Sequence, residues 1–343
     1  MKKRVTIYTI TEKLGISATT VYRALNNKPQ ISERTKNAVL SAAEELGFKP
    51  NTLAKGLARK SLHLAVVIMT GFPEFQNYIL RGIKQTEEEL YDFNVHVDYY
   101  IYEDEVGTEE ALRFRNEAFR KIALSGYNAV LSSSGTAEEF ALLQEKNIPA
   151  ALIINEIPGS CRKFCVQHDS YTAGRMAAEL LYWKLGKDAV VAVASGIPEL
   201  AVHQIKEKGF VDQLAFTPLN LRKICYNQDS HEVAYRQTKV LLEENPDIKG
   251  MYINSFNSPG VIEAVRDAGL DGKICIIASD ISAELKDCLA KGVVMATIFQ
   301  NQYRQGQLGL RYLYRAITEN AEPEEMIIIK PEAVFNSNMH LYE

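Results

Sequence analysis

The spacing of apolar residues changes character near residue 62. Before that point, apolar residues recur every three or four positions over short stretches, as in Ile7, Ile10 and Leu14. Beyond it, apolar runs of strand length alternate with amphipathic stretches of helical length. The pattern predicts a small helical head followed by an α/β body.

In the body, a first series of parallel strands is predicted at LAVVIM, VHVDYYI, NAVLSSS and AALIIN. Helices are expected between them near residues 77–91, 109–125 and 137–146. A second series follows a helix after Asp169, with strands at AVVAVAS, LRKICYN, GMYIN, KICIIAS and VMATIFQ. This alternation predicts two doubly wound parallel lobes within residues 62–343, lobe 1 being 62–166 with 298–324 and lobe 2 being 167–297 with 325–343.

Residues 1–48 predict three short helices, for which Thr6, Ser17 and Ser32 are suitable N-caps. Gly15 is expected to end the first helix. The third should turn its apolar side inward, namely Val39, Leu40, Ala43 and Leu46. Two short helices joined by a glycine-containing turn make a helix-turn-helix, whose second helix enters the DNA major groove.

The outward positions of that second helix carry groups that read bases. Arg23 can make a bidentate contact to guanine, while Thr19 and Ala18 can offer a hydroxyl and methyl groups to base edges. The other expected DNA contacts, chiefly to phosphates, are Thr6, Tyr8, Ser17, Thr20, Tyr22, Asn26 and Lys36.

Charge separates the head from the body. The chain has a net charge of −4, but residues 1–60 hold 12 Lys and Arg against 4 Glu and no Asp, a net of +8, which leaves −12 for the rest. A basic head on an acidic body indicates a polyanionic partner at one end only.

The segment from Val5 to Lys60 resembles the DNA-binding head of the lactose-repressor (LacI/GalR) family of bacterial transcription regulators. The resemblance rests on the Ser-x-x-Thr-Val-x-Arg recognition helix, the Leu-Asn that follows and the Glu-Leu-Gly-Phe-x-Pro-Asn exit. It implies base readout by Ala18, Thr19 and Arg23. The chain departs from the family pattern at Tyr22, usually a serine, and at Thr9, usually an acid.

Residues 49–61 are expected to form a hinge. Asn51 can cap a short helix, but Gly56 in its middle costs about 1 kcal/mol relative to alanine, so the helix would be marginal alone. The family resemblance implies that this segment folds on the operator and that Leu57, with Ala54 beside it, wedges into the minor groove and bends the duplex. An ordinary flexible linker is the alternative.

In doubly wound folds, ligands bind at the carboxyl ends of the strands. Here those ends carry small or polar residues, at positions 132–135, 155, 195–196, 254–255, 279–280 and 300. Hydroxyls, amides and a carboxylate suit a polyhydroxylated molecule such as a sugar. Phe72, Phe75 and Phe256 can cover its C–H faces or belong to the core.

The body also resembles the effector domain of the same family, which shares its fold with periplasmic sugar-binding proteins. The motifs are the FxxxxxxGI at 75–83, DSYTAGRMAAELL from Asp169, KEKGF at 206–210, ASD ending at Asp280 and ATIFQN at 296–301. With the strand ends, this implies effector contacts at Phe75, Ser133, Asn155, Asp169, Lys206, Asn254, Asp280 and Gln300. Lys206 stands where the family usually has an arginine.

Other classes of protein fit less well. The sequence has no P-loop, no GxSxG elbow and no HExxH motif, so we expect no enzyme, no metal and no cofactor. An exported solute-binding protein needs a secretion signal, and the opening MKKRVTIYTITEKLG has no hydrophobic region after its basic start. We therefore expect a cytoplasmic, nucleoid-associated protein without membrane contact.

Together these features predict a repressor that binds a palindromic operator as a homodimer, because one head makes too few contacts for specificity. A small-molecule effector between the lobes, with a sugar as the leading idea, is expected to control DNA affinity. A nucleobase or other metabolite acting as corepressor, or a partner protein, remains the alternative.

Overall fold

A computed structural model of the protein describes residues 7–25, 31–46, 48, 61–103, 108–319 and 321–342, without the side chains of residues 7 and 8. The described residues form two compact units. The first contains three helices, and the second contains all the described strands and the remaining described helices.

The head consists of α1 (Ile7–Leu14), α2 (Ala18–Leu25) and α3 (Glu33–Glu45), as the sequence predicted. Ser17 Oγ accepts the amide hydrogen of Thr20 at 3.1 Å, and Ser32 caps α3 in the same way. One prediction was wrong: Leu40 is 43% exposed, because the helical period places 39, 42 and 43 on the core side. The buried core of the head is Ile10, Val21, Ala24, Val39, Ala42 and Ala43.

The first lobe is built on a parallel sheet of six strands in the order β11-β5-β4-β3-β1-β2. Its strands are β1 (Leu62–Met69), β2 (Val95–Tyr102), β3 (Ala129–Ser132), β4 (Ala150–Ile153), β5 (Cys165–His168) and β11 (Met326–Ile329). Its helices are α4 (Pro73–Leu90), α5 (Glu109–Leu124), α6 (Ala137–Glu145) and α12 (Gln302–Thr318).

The second lobe repeats this plan with the order β12-β10-β9-β8-β6-β7, in which only β12 is antiparallel to its neighbour. Its strands are β6 (Val190–Ser195), β7 (Asn220–Tyr226), β8 (Gly250–Ile253), β9 (Cys275–Ser279), β10 (Ala296–Phe299) and β12 (Glu332–Val334). Its helices are α7 (Ser170–Leu185), α8 (Ala201–Gln213), α9 (His231–Glu244), α10 (Ser258–Asp267) and α11 (Ala283–Ala290).

The chain crosses between the lobes at different places from those predicted. Strand β10 ends at Phe299 within the second sheet, so the crossing follows residue 299 rather than 297. Strand β11 pairs with β5 in the first sheet, so residues 326–329 belong to lobe 1 and not to lobe 2. The sequence prediction missed β5, β11 and β12: β5 (CVQH) and β12 (EAV) are short and partly polar, and β11 (MIII) is a short apolar run close to the end of the sequence.

Each lobe contains a helix pair held in close contact by glycine. A Cβ atom on Gly82 in α4 would overlap the carbonyl oxygen of Tyr303 in α12. A Cβ atom on Gly174 in α7 would overlap the carbonyl oxygen of Lys206 in α8. These pairs therefore depend on glycine for backbone contact. No helix in the described part of the chain is both long enough and apolar enough to cross a membrane.

Candidate functional site

The outer face of α2 has the arrangement predicted from the sequence. Val21 and Ala24 are buried against the other two helices, whereas Thr19, Tyr22 and Arg23 are exposed. Ala18 is half-buried at the first position of the helix. The side chains expected to read bases therefore lie on the side away from the core.

Some of the side chains expected to contact phosphates make contacts with other residues of the head. The hydroxyls of Ser17 and Thr20 lie 2.9 Å apart at the start of α2, and Lys36 Nζ lies 3.7 Å from a carboxylate oxygen of Glu33. Several predicted positions lie outside the described residues or side chains, namely Thr6, Tyr8, Asn26, Asn51, Ala54 and Leu57. The hinge helix and the leucine wedge stay predictions.

A cavity of about 360 Å³ lies between the carboxyl ends of the two sheets. Residues that follow strands in both lobes line it, as expected for a doubly wound fold. Its volume is in the range of small-molecule sites. The predicted effector residues that line it are Phe75, Ser133, Asn155, Lys206, Asp280 and Gln300.

Two predicted effector residues lie outside the cavity lining. Asp169 is the N-cap of α7, where its carboxylate accepts hydrogen bonds from the Thr172 amide at 2.9 Å and the Thr172 hydroxyl at 2.7 Å. Asn254 is fully buried, and its Oδ1 accepts the Gly196 amide hydrogen at 3.3 Å. Both side chains therefore make contacts within lobe 2, and their contact with an effector stays a prediction.

Three phenylalanines meet across the cleft. The rings of Phe72 and Phe75, from lobe 1, lie 5.1 and 5.7 Å from the ring of Phe256, from lobe 2. All three line the cavity. Glu74 also accepts the Ala283 amide hydrogen at 3.1 Å. The two lobes are therefore in contact through aromatic rings and a hydrogen bond.

Lys206 is the one lysine or arginine among the described residues that line the cavity. It is 4% exposed, and its Nζ donates to the carbonyl oxygen of Asn254 at 2.9 Å. Burial lowers the pKa of Lys206, and the carboxylates of Asp280 and Asp229 oppose this. A single ammonium group thus faces two carboxylates.

Asp280 is 1% exposed and contacts both lobes. Its two carboxylate oxygens accept from Nε2 of Gln300 at 2.6 Å and from Nε2 of Gln302 at 2.7 Å. Burial raises the pKa of Asp280, and Lys206 and the two amides lower it. Because Gln302 begins α12 of lobe 1, Asp280 joins the second lobe to the first.

The sequence analysis missed His203 and Asp229. Burial and the nearby Lys206 lower the pKa of His203 to about 4, so the ring is neutral at pH 7. Its Nδ1 lies 3.0 Å from the Ile197 amide nitrogen and 3.1 Å from the Ile197 carbonyl oxygen, so it accepts from the amide in one tautomer and donates to the carbonyl in the other. Burial raises the pKa of Asp229 to about 6, against the opposing effects of Lys206 and a hydrogen bond with Ser255.

A strand-end rule applied to every strand finds Asp229, which stands three residues beyond β7. His203 lies one helical turn before Lys206 in α8, so helical phase indicates that it shares the face of that lysine. Positive φ values occur on both walls of the cavity: Ile154, a β-branched residue after β4, has φ of +71°, and Asp229 and Asp280 of lobe 2 have φ of +53° and +65°. Such backbone strain concentrates at binding sites.

A polar cavity between two parallel α/β lobes defines a ligand-binding domain of the periplasmic-binding-protein type. Comparison with known families agrees: the periplasmic binding protein domain matches residues 64–321, and the family of bacterial regulatory proteins called lacI matches residues 6–51. The chain belongs to the lacI family, with a helix-turn-helix DNA-binding head and a periplasmic-binding-protein-like body.

Its relatives are transcription regulators rather than enzymes. The regulator AglR of Rhizobium meliloti is 29% identical over 284 residues, covering 80% of this chain and 75% of that protein. Catabolite control protein A of Priestia megaterium is 24% identical and covers 78% of this chain and 79% of that protein. The repressor PurR of Histophilus somni is 22% identical and covers 97% and 98%.

Solved structures share the fold of the body. The glucose-galactose binding protein GanP from Geobacillus stearothermophilus aligns with a TM-score of 0.73 at 21% identity, over 82% of this chain and 99% of that one. A solute-binding protein from Actinobacillus succinogenes with bound D-allose aligns with a TM-score of 0.73 at 18% identity, over 82% and 100%. These identities establish a common fold.

Proposed function

We propose that this protein is a repressor that binds a palindromic operator as a homodimer and that a sugar-sized effector in the cleft controls its DNA affinity. The observation that carries this proposal is a ligand-sized polar cavity closed by contacts between two lobes, on a chain with a helix-turn-helix head. A ligand that binds one arrangement of the lobes better than another shifts their population.

The exposed face of α2 supports the DNA-binding part of the proposal. Arg23 and Thr19 project from the same helix, and a guanidinium group reads guanine through its O6 and N7 atoms. A dimer places two such helices in successive major grooves, which accounts for a palindromic site. Leu57 as a minor-groove wedge belongs to the proposal through the family resemblance.

The cavity lining supports a sugar-sized effector. Asn155 and Ser133 line the cavity from lobe 1, and Lys206 and His203 line it from lobe 2. The aromatic rings of Phe75 and Phe256 also line the cavity. Amides, hydroxyls and aromatic rings together suit a polyhydroxylated ring. Proteins of the same fold have been solved as sugar-binding proteins, including one with D-allose bound.

Comparison of two charge-removing variants tests the DNA-binding part. Arg23→Ala should relax base preference at one position of each half-site in a selection from randomised operators, with a loss of about 1–3 kcal/mol on the preferred site. Lys13→Ala is the matched control, because it removes one positive charge from the same head at a residue 2.6 Å from Glu45. A uniform loss in both variants would mean that Arg23 contacts only phosphate.

Thermal unfolding against pentoses, hexoses, polyols, their phosphates and nucleobases tests the effector part. A ligand present at a hundred times its Kd adds about 2.7 kcal/mol to the free energy of unfolding and raises the midpoint visibly. A sugar that raises the midpoint supports the proposal. If only a nucleobase raises the midpoint, the effector is a nucleobase rather than a sugar. If no compound raises it, a partner protein becomes the favoured regulator.

A further inference from the structure

The accessible charges of the cavity are acidic. Its buried charged groups, Lys206 and Asp280, turn toward the protein, whereas Asp229 is half-buried and Glu103 is exposed. His203 is neutral at pH 7. A ligand that enters this cavity therefore meets carboxylates before it meets the ammonium group of Lys206.

The carboxylate of Asp229 is incompletely compensated. Lys206 interacts with both Asp229 and Asp280, so one positive charge serves two negative ones. Within the part of the chain that the structure describes, Oδ1 of Asp229 is buried and accepts no hydrogen bond. Burying a carboxylate without full pairing is unfavourable, and a cationic ligand would remove that cost.

The remaining polar and aromatic groups also suit a cation. The side-chain amide of Gln300 donates through Nε2 to Asp280. Its Oε1 is a buried acceptor that has no hydrogen-bond partner among the described residues. The rings of Phe72, Phe75 and Phe256 line the same cavity, and aromatic faces attract ammonium groups. Acceptor oxygens without partners and aromatic faces together suit an ammonium group, which donates hydrogen bonds and accepts none.

We propose that the effector carries a protonated amine, as a 2-amino sugar does, and that Asp229 recognises the amine. This inference rests on the proposed function and narrows the class of effector at the same cavity. Sugar acids and sugar phosphates are excluded from the class, because the lone cation Lys206 is already shared by two carboxylates.

Amine recognition by Asp229 has a characteristic pH dependence. The other titratable groups that line the cavity with Asp229 are Lys206 and His203 from α8, Asp280 after β9 and Glu103 after β2, and of these Lys206 lowers the pKa of Asp229. With the pKa of Asp229 at about 6, amine binding should weaken about tenfold for each pH unit below 6. A parent sugar without the amine should show little change.

Calorimetric titration with matched pairs tests the proposal. The probes are glucose with glucosamine, galactose with galactosamine, mannose with mannosamine, and the acids glucuronate and galacturonate, at pH 7 and pH 5. We expect one amino sugar to bind at least about tenfold more tightly than its parent at pH 7, to lose that preference at pH 5, and the acids to bind weakest.

A parent sugar that binds as well as its amine overturns the amine inference and leaves the proposed effector class intact. Binding by none of the probes also overturns the amine inference, and the thermal-unfolding panel decides separately whether a sugar-sized effector binds. Asp229→Asn should reduce the amine preference below about twofold. The matched control is Asp271→Asn, which changes a surface carboxylate 3.6 Å from Arg266. This control variant should keep the full preference for the amine. If Asp229→Asn fails to fold, the comparison of pH 7 with pH 5 in the unaltered protein decides.

Discussion

The two lobes share one architecture but contribute different chemistry to the cavity. Lobe 1 supplies the rings of Phe72 and Phe75, the neutral groups of Ser133 and Asn155, and one exposed carboxylate, that of Glu103. Lobe 2 supplies Lys206 and the acids that surround it. The common sheet topology brings strand ends to the same place, whereas the residues after each strand decide the chemistry. On this account lobe 2 senses the charge of the ligand and lobe 1 covers its surface.

The largest expected effect is on lobe 2. Lys206→Met leaves two buried carboxylates without their cation and should lower the free energy of unfolding by about 3–5 kcal/mol in urea. Lys208→Met is the matched control two residues away, where an exposed lysine pairs with Asp212, and should have little effect. Equal losses would show that Lys206 carries no special charge role.

The glycine contacts should matter equally in both lobes. Gly82→Ala in α4 and Gly174→Ala in α7 each force apart a helix pair and should cost about 1–3 kcal/mol of stability by urea unfolding. Asn77→Ala, at an exposed position of α4, should be near neutral. A harmless Gly174→Ala beside a damaging Gly82→Ala would break the structural equivalence of the lobes.

Closure across the cleft predicts an effect on ligand affinity. Phe256→Ala removes the ring that meets both phenylalanines of lobe 1 and should weaken effector binding about tenfold in calorimetry, close to 1.4 kcal/mol. Phe216→Ala, at an exposed ring of the same lobe, should leave affinity unchanged. The opposite order would place the ligand away from the aromatic rings.

The smallest expected effect is the net change of stability with pH in the unaltered protein, because two pH dependences oppose each other. Asp229 has a raised pKa of about 6 in the fold, so the unfolded chain releases this proton first and stability falls as pH rises from about 4 to 6. His203 has a lowered pKa of about 4, so the fold releases its proton first and stability rises from about pH 4 to 6.5.

Single variants separate the two effects. Urea unfolding from pH 4 to 6.5 should show a steeper rise in stability for Asp229→Asn and a flatter one or a fall for His203→Asn, each change over this range differing from that of the parent by about 3 kcal/mol. Parallel curves for the parent and both variants would mean that neither group titrates differently in the folded and unfolded protein.

Much of the fold could be predicted from the sequence, because the head and the long strands carry strong periodicity. The sequence analysis assigned MIII at 326–329 to the wrong lobe, since pairing with β5 across some 160 residues leaves no local trace. The family motif implied an effector contact for Asp169, whereas an aspartate directly before a helix also predicts an N-cap, which is where the structure places it, outside the cavity lining. Asp229 was missed because it stands three residues beyond β7, whereas the site residues expected at other strand ends lie within two residues of their strands.

The most direct test of the central claim is fluorescence anisotropy with a selected operator and the ligand that raises the unfolding midpoint. We predict that saturating ligand changes the operator Kd by about 5–150-fold and that the operator changes the ligand Kd by the same factor. A ligand that binds in the cleft and leaves the operator Kd unchanged would contradict the account, because the body would then not control the head.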